Sequence, residues 1–267
     1  MPELPEVETV RRTLLPHVRG RRITRVEVHD RRLREPVPES FASRLEGQRV
    51  VDVRRRGKVL LADLDDGGVW LVHLGMSGRL CVGAPPPGAA HVHVRVLFDL
   101  GKELYFQDPR RFGMMRVDAG EPELVLGPDP LVDGLDGAVL WGLTRRCSRQ
   151  RIKTLLMDQR RIAGLGNIYA NEALFRARIR PGRRAGRLRR AEATALAAAV
   201  RETLEEALTA GGSSLLDYRD AEGRAGGFQL RFRVYDRAGL PCVNCATAIR
   251  HQVTAARSSY YCPSCQR

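Results

Sequence analysis

Four cysteines near the C-terminal end of the chain, Cys242-x2-Cys245-x16-Cys262-x2-Cys265, have metal-ligand spacing. Two Cys-x2-Cys knuckles gather four thiolates around one point, the ligand set of a tetrahedral zinc site. Such a site has no open coordination position, so the one Zn2+ it predicts per chain is structural. At the other end stands Pro2, by composition an ordinary tail residue. Removal of Met1 before so small a residue would expose a secondary amine. Attack of that amine on a sugar C1′ gives an iminium, cationic without further protonation, which is an electron sink for β-elimination. Glu3 and Glu6 lie within reach for the proton transfers this needs.

Further groups are weaker when taken singly. Lys58 follows Gly57 and three arginines and by itself reads as a basic turn. Asp108-Pro109-Arg110-Arg111-Phe112-Gly113 joins cations to an aromatic ring. An inserted Phe beside Arg can wedge a duplex, although by composition alone Phe112 reads as core. His73-Leu74-Gly75-Met76 ends an apolar run, where a lone His and Met read as filler. His91 and His93 alternate along an expected strand and so share a face. Gly164-Leu165-Gly166-Asn167 opens a helix and offers N–H groups to a phosphate, or is only a tight turn. Between the cysteine pairs Arg250, His251 and Arg257 project from an expected β-hairpin, and residues 231–267 hold six Arg against one Asp. A finger so charged suits nucleic acid. Cys81 and Cys147 read as small buried residues.

The elements that must position these groups show in the hydrophobic periodicity. Val7, Val10, Leu14 and Val18 form an apolar stripe at helical spacing over residues 3–18, with three glutamates in the first turns. Seven strand-like runs follow: RITRVEVHD, RVVDVRR, KVLLADL, VWLVHLG, HVHVRVLFDL, ELYFQD and GMMRVDA. Their spacing, with breakers such as Asp65–Gly68 and Pro85–Gly88, predicts an antiparallel sandwich or barrel. Helices are predicted over 151–159 and 165–177, around the turn Arg160–Gly164, and over 190–210, ended by Gly211-Gly212. GEPELVLGPDP, near 120–135, is the expected hinge. The resulting division is 1–131, 132–228 and 229–267.

Hydrophobic content of 43% against 28% charged residues describes a globular chain. The 45 Lys and Arg against 31 Asp and Glu point to a polyanionic partner. No apolar run reaches the roughly 18–20 residues of a membrane span, and the acidic first residues do not read as a signal peptide. We therefore expect a cytoplasmic protein without a membrane partner, whose cysteines stay reduced.

Taken together, MPELPEVETVRR, RRRGKVLL, HLGMSG, DPRRFG, LMDQRRIAGLGNIYANEALF and YYCPSCQ, in this order from end to end, resemble the bacterial formamidopyrimidine-DNA glycosylase family, relatives of endonuclease VIII. The resemblance implies an α+β multidomain fold. An N-terminal antiparallel β-sandwich carries the first helix, and a helix–two-turn–helix domain carries a four-cysteine zinc-finger hairpin. It implies a monomer acting in the bacterial nucleoid on double-stranded DNA with oxidised bases or abasic sites, bound in a cleft between domains with the damaged base flipped out. By the same resemblance Pro2 is the Schiff-base nucleophile and Glu3 the acid that assists base loss. Lys58 is a proton donor and phosphate contact, and Arg257 holds the phosphates flanking the lesion and serves δ-elimination. Met76, Arg110 and Phe112 fill the vacated stack, Arg110 pairing with the orphaned base. His73, His91, Lys153, Asn167 and Tyr235 bind the backbone near the lesion, with Arg149 and Arg151 in the basic cluster. Two positions depart from the pattern: Ser148 stands where a lysine is frequent, and Asp236 where glycine is usual. HLGMSG and the Gly-rich segment Asp217–Gly227 resemble the branch acting on 8-oxoguanine and formamidopyrimidines, rather than the branch favouring oxidised pyrimidines. A non-catalytic damage sensor, or a zinc-ribbon accessory of ribosomes or transcription, is the rival from another class.

Overall fold

The computed structural model describes residues 2–214, 218–254 and 256–267. In chain order the elements of the first part are α1 (Leu4–Val18), β1 (Ile23–Val28), α2 (Phe41–Leu45), β2 (Val50–Arg56), β3 (Val59–Leu64), β4 (Val69–His73), β5 (Arg79–Val82), β6 (Val92–Phe98), β7 (Glu103–Gln107) and β8 (Met114–Asp118). All seven runs read as strands are strands. β5, only four residues long, has too little sequence to show an alternation. Every strand pairing is antiparallel, in two four-stranded sheets ordered β1-β6-β7-β5 and β2-β3-β4-β8. Inward residues of both sheets, among them Val26, Val96, Phe98 and Phe106 from one and Val53, Leu60, Trp70 and Met115 from the other, share one core. Alternate residues of a strand face opposite sides, so the period-two runs become the inner faces of a sandwich. The stripe Val7, Val10, Leu14 and Val18 on α1 is buried in the same core.

The second part holds α3 (Gly137–Arg146), α4 (Ile152–Met157), α5 (Asn167–Arg176), α6 (Arg190–Thr209), and the hairpin β9 (Arg250–Thr254) and β10 (Arg257–Tyr261). No helix of the described residues is long and apolar enough to cross a membrane. The backbone separates into two compact units, residues 1–124 with 210–227, and 125–209 with 228–267. The hinge near 120–135 thus contains the break, but the segment 132–228 is divided. Residues 210–227 return to the sandwich because their partners lie there: Ala221 O accepts from Val82 N (2.7 Å), Thr13 Oγ1 from Ala221 N (3.1 Å), and the Tyr218 hydroxyl donates to Glu6 O (3.2 Å). Asp217, at the head of the Gly-rich segment, lies outside the described residues. Gly212 has φ +82°, and a Cβ there would lie 2.9 Å from Glu6 Oε1, so only glycine fits.

A buried ion pair joins α1 to the β2–β3 turn. Glu8 accepts from Arg11 and Arg12 on its own helix and from Arg55 Nε (3.1 Å), while Arg55 Nη1 donates to Gly57 O (2.9 Å). Burial pushes the Glu8 carboxyl up, but the hydrogen bonds from Arg11 and Arg12 and the charge of Arg55 overcome it and hold the pKa at about 2. A depressed folded-state pKa contributes stability that is fully present above the ordinary 4.5 and is lost as pH falls through about 2. Glu8→Gln removes the carboxylate charge that faces buried Arg55. It should cost about 3–5 kcal/mol in denaturant unfolding at neutral pH, and should flatten this part of the acid limb of stability against pH.

Candidate active site and nucleic-acid interface

In the N-terminal unit, Glu3 is the N-cap of α1. Glu3 N donates to Glu6 Oε2 (2.8 Å) and the Glu3 carboxylate accepts from the amide of Glu6, a reciprocal capping box with Pro5 in the first turn. Pro2, Glu3 and Glu6 are all buried. The second oxygen of Glu6 accepts from Ser213 N (2.6 Å). Glu6 is thus engaged on both oxygens in holding the start of α1 against the returning segment, while Glu3 stands beside Pro2 at the positive end of the helix.

Lys58 sits in the β2–β3 turn whose backbone Arg55 fixes, and is 8% exposed. Its neighbour Val59 pairs with His73 on β4. Burial, then the charges of Lys58 and Arg34, pull the His73 pKa down to about 4, so the ring is neutral at physiological pH. Its Nδ1 accepts from Gly75 N (3.0 Å), which places the proton on Nε2 as a donor.

Met76, Arg110 and Phe112 come from two loops but share one platform. Phe112 is 43% and Met76 36% exposed, so Phe112 is not the core residue that composition alone suggests. The Arg110 guanidinium lies 5.0 Å from the Phe112 ring centroid. Beneath them, the wholly buried Asp108 accepts from Ser77 Oγ (2.6 Å), Gly113 N (2.7 Å) and Arg110 N (3.3 Å). Ser77 follows Met76 directly, so this one carboxylate locks the two loops together. Gly75, at φ +64°, packs its backbone on Phe112, where a Cβ would lie 2.3 Å from the carbonyl carbon. The ring nitrogens of buried His93 face the carbonyls of Asp30 (3.2 Å) and Asp108 (3.0 Å). His91, by contrast, has φ +63° and is exposed ahead of β6, so the alternation is broken and the two histidines do not share a face. Asp108→Ala leaves two buried donors, Ser77 Oγ and Gly113 N, without their acceptor. It should cost about 2–4 kcal/mol in equilibrium unfolding, with Asp108→Asn intermediate.

In the C-terminal unit, α4 and α5 carry the finger. Lys153, read from the sequence as a backbone contact, is 2% exposed, and its ammonium donates inward to Ser258 O and to Ser259 Oγ (2.9 Å). Asn171 Oδ1 accepts from Tyr260 N (2.9 Å). Buried Glu172 accepts from three successive amides, Arg233 (3.0 Å), Val234 (3.0 Å) and Tyr235 (2.8 Å). Burial pushes the Glu172 carboxyl pKa up, against the pull of these amides. Arg257 is exposed at the start of β10, one residue from the Lys153 contact, and Tyr235 packs its ring 5.2 Å from that of Tyr260. Asn167 is the first residue of α5, half-buried, and Arg149 and Arg151 are exposed before α4. Asp236 has φ +56°, the conformation the usual glycine takes freely and one that Asp tolerates better than most side chains. The turn is therefore kept. The sequence assigns no role to Ser77, Asp108, Asn171 or Glu172, because a lone polar residue gives no sign that it will be buried.

The four cysteine Sγ atoms all lie within 4.8 Å of one another, with Cys242–Cys265 at 3.9 Å and Cys245–Cys262 and Cys245–Cys265 at 3.4 Å. Ligands about 2.3 Å from a central zinc sit near these separations at the corners of a tetrahedron. The set fits one structural zinc. Three family models cover most of the chain: the formamidopyrimidine-DNA glycosylase N-terminal domain over residues 1–115, its H2TH domain over 126–218, and the zinc finger found in FPG and IleRS over 239–267. The chain belongs to the formamidopyrimidine-DNA glycosylase family. It is similar to the formamidopyrimidine-DNA glycosylases of Cereibacter sphaeroides (50% identical over 285 residues) and Thiobacillus denitrificans (50% over 275), in both cases over 100% of each chain. Among solved structures it resembles MutM (Fpg) of Thermus thermophilus (42% identity, TM-score 0.87, 99% and 98% of the two chains). It also resembles Lactococcus lactis Fpg in complex with abasic-site DNA (31%, TM-score 0.91, 99% of each).

Proposed function

We propose that this family member is a bifunctional glycosylase and abasic-site lyase of base-excision repair, acting on DNA that carries oxidised purines. The observation that carries the reading is Pro2 buried beside Glu3 at the capped start of α1, in a chain matched over its whole length by formamidopyrimidine-DNA glycosylases. With Met1 removed, the Pro2 nitrogen lone pair attacks C1′, the glycosidic bond breaks, and the base leaves with a proton that Glu3 helps to deliver. The adduct nitrogen loses its proton, the C1′–O4′ bond breaks with O4′ taking up a proton, and the ring-opened iminium so formed acidifies C2′, so that loss of the C2′ proton expels the 3′ phosphate. A second elimination expels the 5′ phosphate, and hydrolysis returns the amine.

The remaining residues serve these steps. Lys58 supplies a proton and a phosphate contact, Arg257 holds the phosphates flanking the lesion, and Glu6 positions the start of α1. The neutral His73 donates from Nε2 to the backbone, and His91, Asn167, Tyr235, Arg149 and Arg151 add contacts. Lys153 contributes by bracing the segment that carries Arg257. Met76, Arg110 and Phe112 fill the emptied stack, and the Asp108 platform keeps them in one arrangement. Zinc supplies no chemistry in these steps; Cys242, Cys245, Cys262 and Cys265 would hold it to stiffen the finger. We further propose that the protein works as a cytoplasmic monomer on nucleoid DNA.

The test is single-turnover excision of 8-oxoguanine opposite C against excision of thymine glycol. A clear preference for 8-oxoguanine is expected. Equal or reversed preference would assign the chain to the oxidised-pyrimidine branch, and absence of any excision or borohydride-trapped adduct would leave a damage-binding protein.

A further inference from the structure

Nearly all the net charge of the chain resides in one stretch of the C-terminal unit. Residues 145–190 hold fifteen Lys and Arg against only Asp158 and Glu172, a net of +13, where the whole chain has 45 against 31 and a net of +14. The contacts proposed for Arg149, Arg151 and Lys153 use little of it. Within residues 178–190, Arg178, Arg184, Arg187 and Arg190 are exposed, and their side chains have no hydrogen bond or ion pair among the described residues. Exposed charges of one sign so gathered raise the local potential and favour a polyanion, whose phosphates release their counterions on binding.

The backbone places this run beside the proposed phosphate contacts. Arg151 and Arg184 form an antiparallel bridge, flanked by Ile152 N donating to Arg183 O (2.8 Å), Ala185 N to Gln150 O (2.8 Å) and Gly186 N to Ser148 O (3.0 Å). Residues directly opposite in an antiparallel pair carry their side chains on one face, so Arg184 stands beside Arg151. Gly186 lies flat on Ser148, since a Cβ there would meet the Ser148 Cβ at 2.7 Å. The loop therefore covers Ser148, with Arg184 and Arg187 to either side of the contact.

We propose that residues 178–190 form a second phosphate track, contiguous with Arg149 and Arg151, in which Arg184 and Arg187 bind the backbone of duplex DNA. The proposal rests on the DNA-repair reading for its ligand. Each arginine that neutralises a phosphate steepens the fall of log K with log salt by about 0.9. The experiment is fluorescence anisotropy of the zinc-loaded full chain on an undamaged duplex and on an abasic-analogue duplex across a salt series. The double variant Arg184→Ala/Arg187→Ala is expected to lose about two units of slope on both duplexes and to bind several-fold more weakly at physiological salt. Arg184→Lys/Arg187→Lys should recover the slope. Arg201→Ala, which removes an exposed arginine facing Glu205 (4.0 Å), should keep the wild-type slope. Zinc content and unfolding midpoint verify that each variant is folded.

A wild-type slope in the double alanine variant would overturn the track. So would an equal loss in Arg201→Ala, which would reduce the effect to overall charge. So would loss of affinity for a poly-glutamate peptide with the duplex slope unchanged, which would assign the run to an acidic protein. Borohydride trapping of the wild-type protein separates the two ideas. Absence of an adduct refutes the lyase reading while the slopes still decide the track, and an adduct with unchanged slopes refutes the track alone.

Discussion

A chain that keeps Met1, or any tag, in front of Pro2 is expected to give no borohydride-trapped adduct with an abasic-site duplex, and to lose strand cleavage by on the order of 10³-fold or more. The magnitude follows from removing the nucleophile of a covalent mechanism, which leaves only binding and electrostatic contributions. An acylated nitrogen has no lone pair to offer C1′, while the cap at Glu3 and the burial of α1 need not change. DNA affinity should therefore survive, and a parallel binding measurement separates lost chemistry from lost binding. Glu3→Gln refines the assignment. Glutamine can still accept from the amide of Glu6, so the helix start is kept, but it cannot deliver a proton. Base excision should fall by about 10²–10⁴-fold, while adduct formation at an abasic site, which has no base to expel, should persist. Undiminished cleavage by the tagged chain would remove Pro2 from the mechanism.

Chelating the zinc is the second large effect. A two-stranded hairpin alone is marginal in water, and apparent binding energies of structural zinc in finger peptides reach about 10–16 kcal/mol, so metal loss should unfold residues 239–267. The contacts of Lys153 and Asn171 with β10 would be lost with it, and Arg257 would no longer be held. We expect DNA affinity to drop by about 100-fold or more. Four thiols should become reactive, while Cys81 and Cys147, buried in their own units, stay protected until global unfolding. Thiol titration beside anisotropy, with zinc added back, measures both. Unchanged affinity in the metal-free protein would refute a role for the finger in binding.

Much of the frame was legible beforehand because it depends on local periodicity. The stripe on α1, the seven alternating runs and the paired glycines ending α6 each record, within a few residues, which face must leave water. Helix α3 does not show in the periodicity, its glycines at 137 and 142 diluting the pattern, and neither do the short α2 and β5. The zinc ligands were legible because knuckle spacing is itself local.

What the residue pattern did not contain is where charged and polar groups end up. Glu8, Arg55, Asp108, Lys153 and Glu172 are types normally left in water, and nothing adjacent to them signals burial. Each is buried because its partner arrives from elsewhere: Arg55 for Glu8 across 47 residues, Ser77 for Asp108 across 31, Ser259 for Lys153 across 106. The same holds for residues 210–227, which follow a helix of one unit yet close on Glu6 and Thr13 of the other. The sequence by itself determined the alternating strands, the cysteine ligands and the apolar stripe of the first helix, since these follow from residue type and short spacing. Tertiary structure alone decided that Met76, Arg110 and Phe112 share the Asp108 platform and that Lys153 turns inward. A buried charge is tolerable only where a distant partner offsets its desolvation, and only the folded chain brings that partner near.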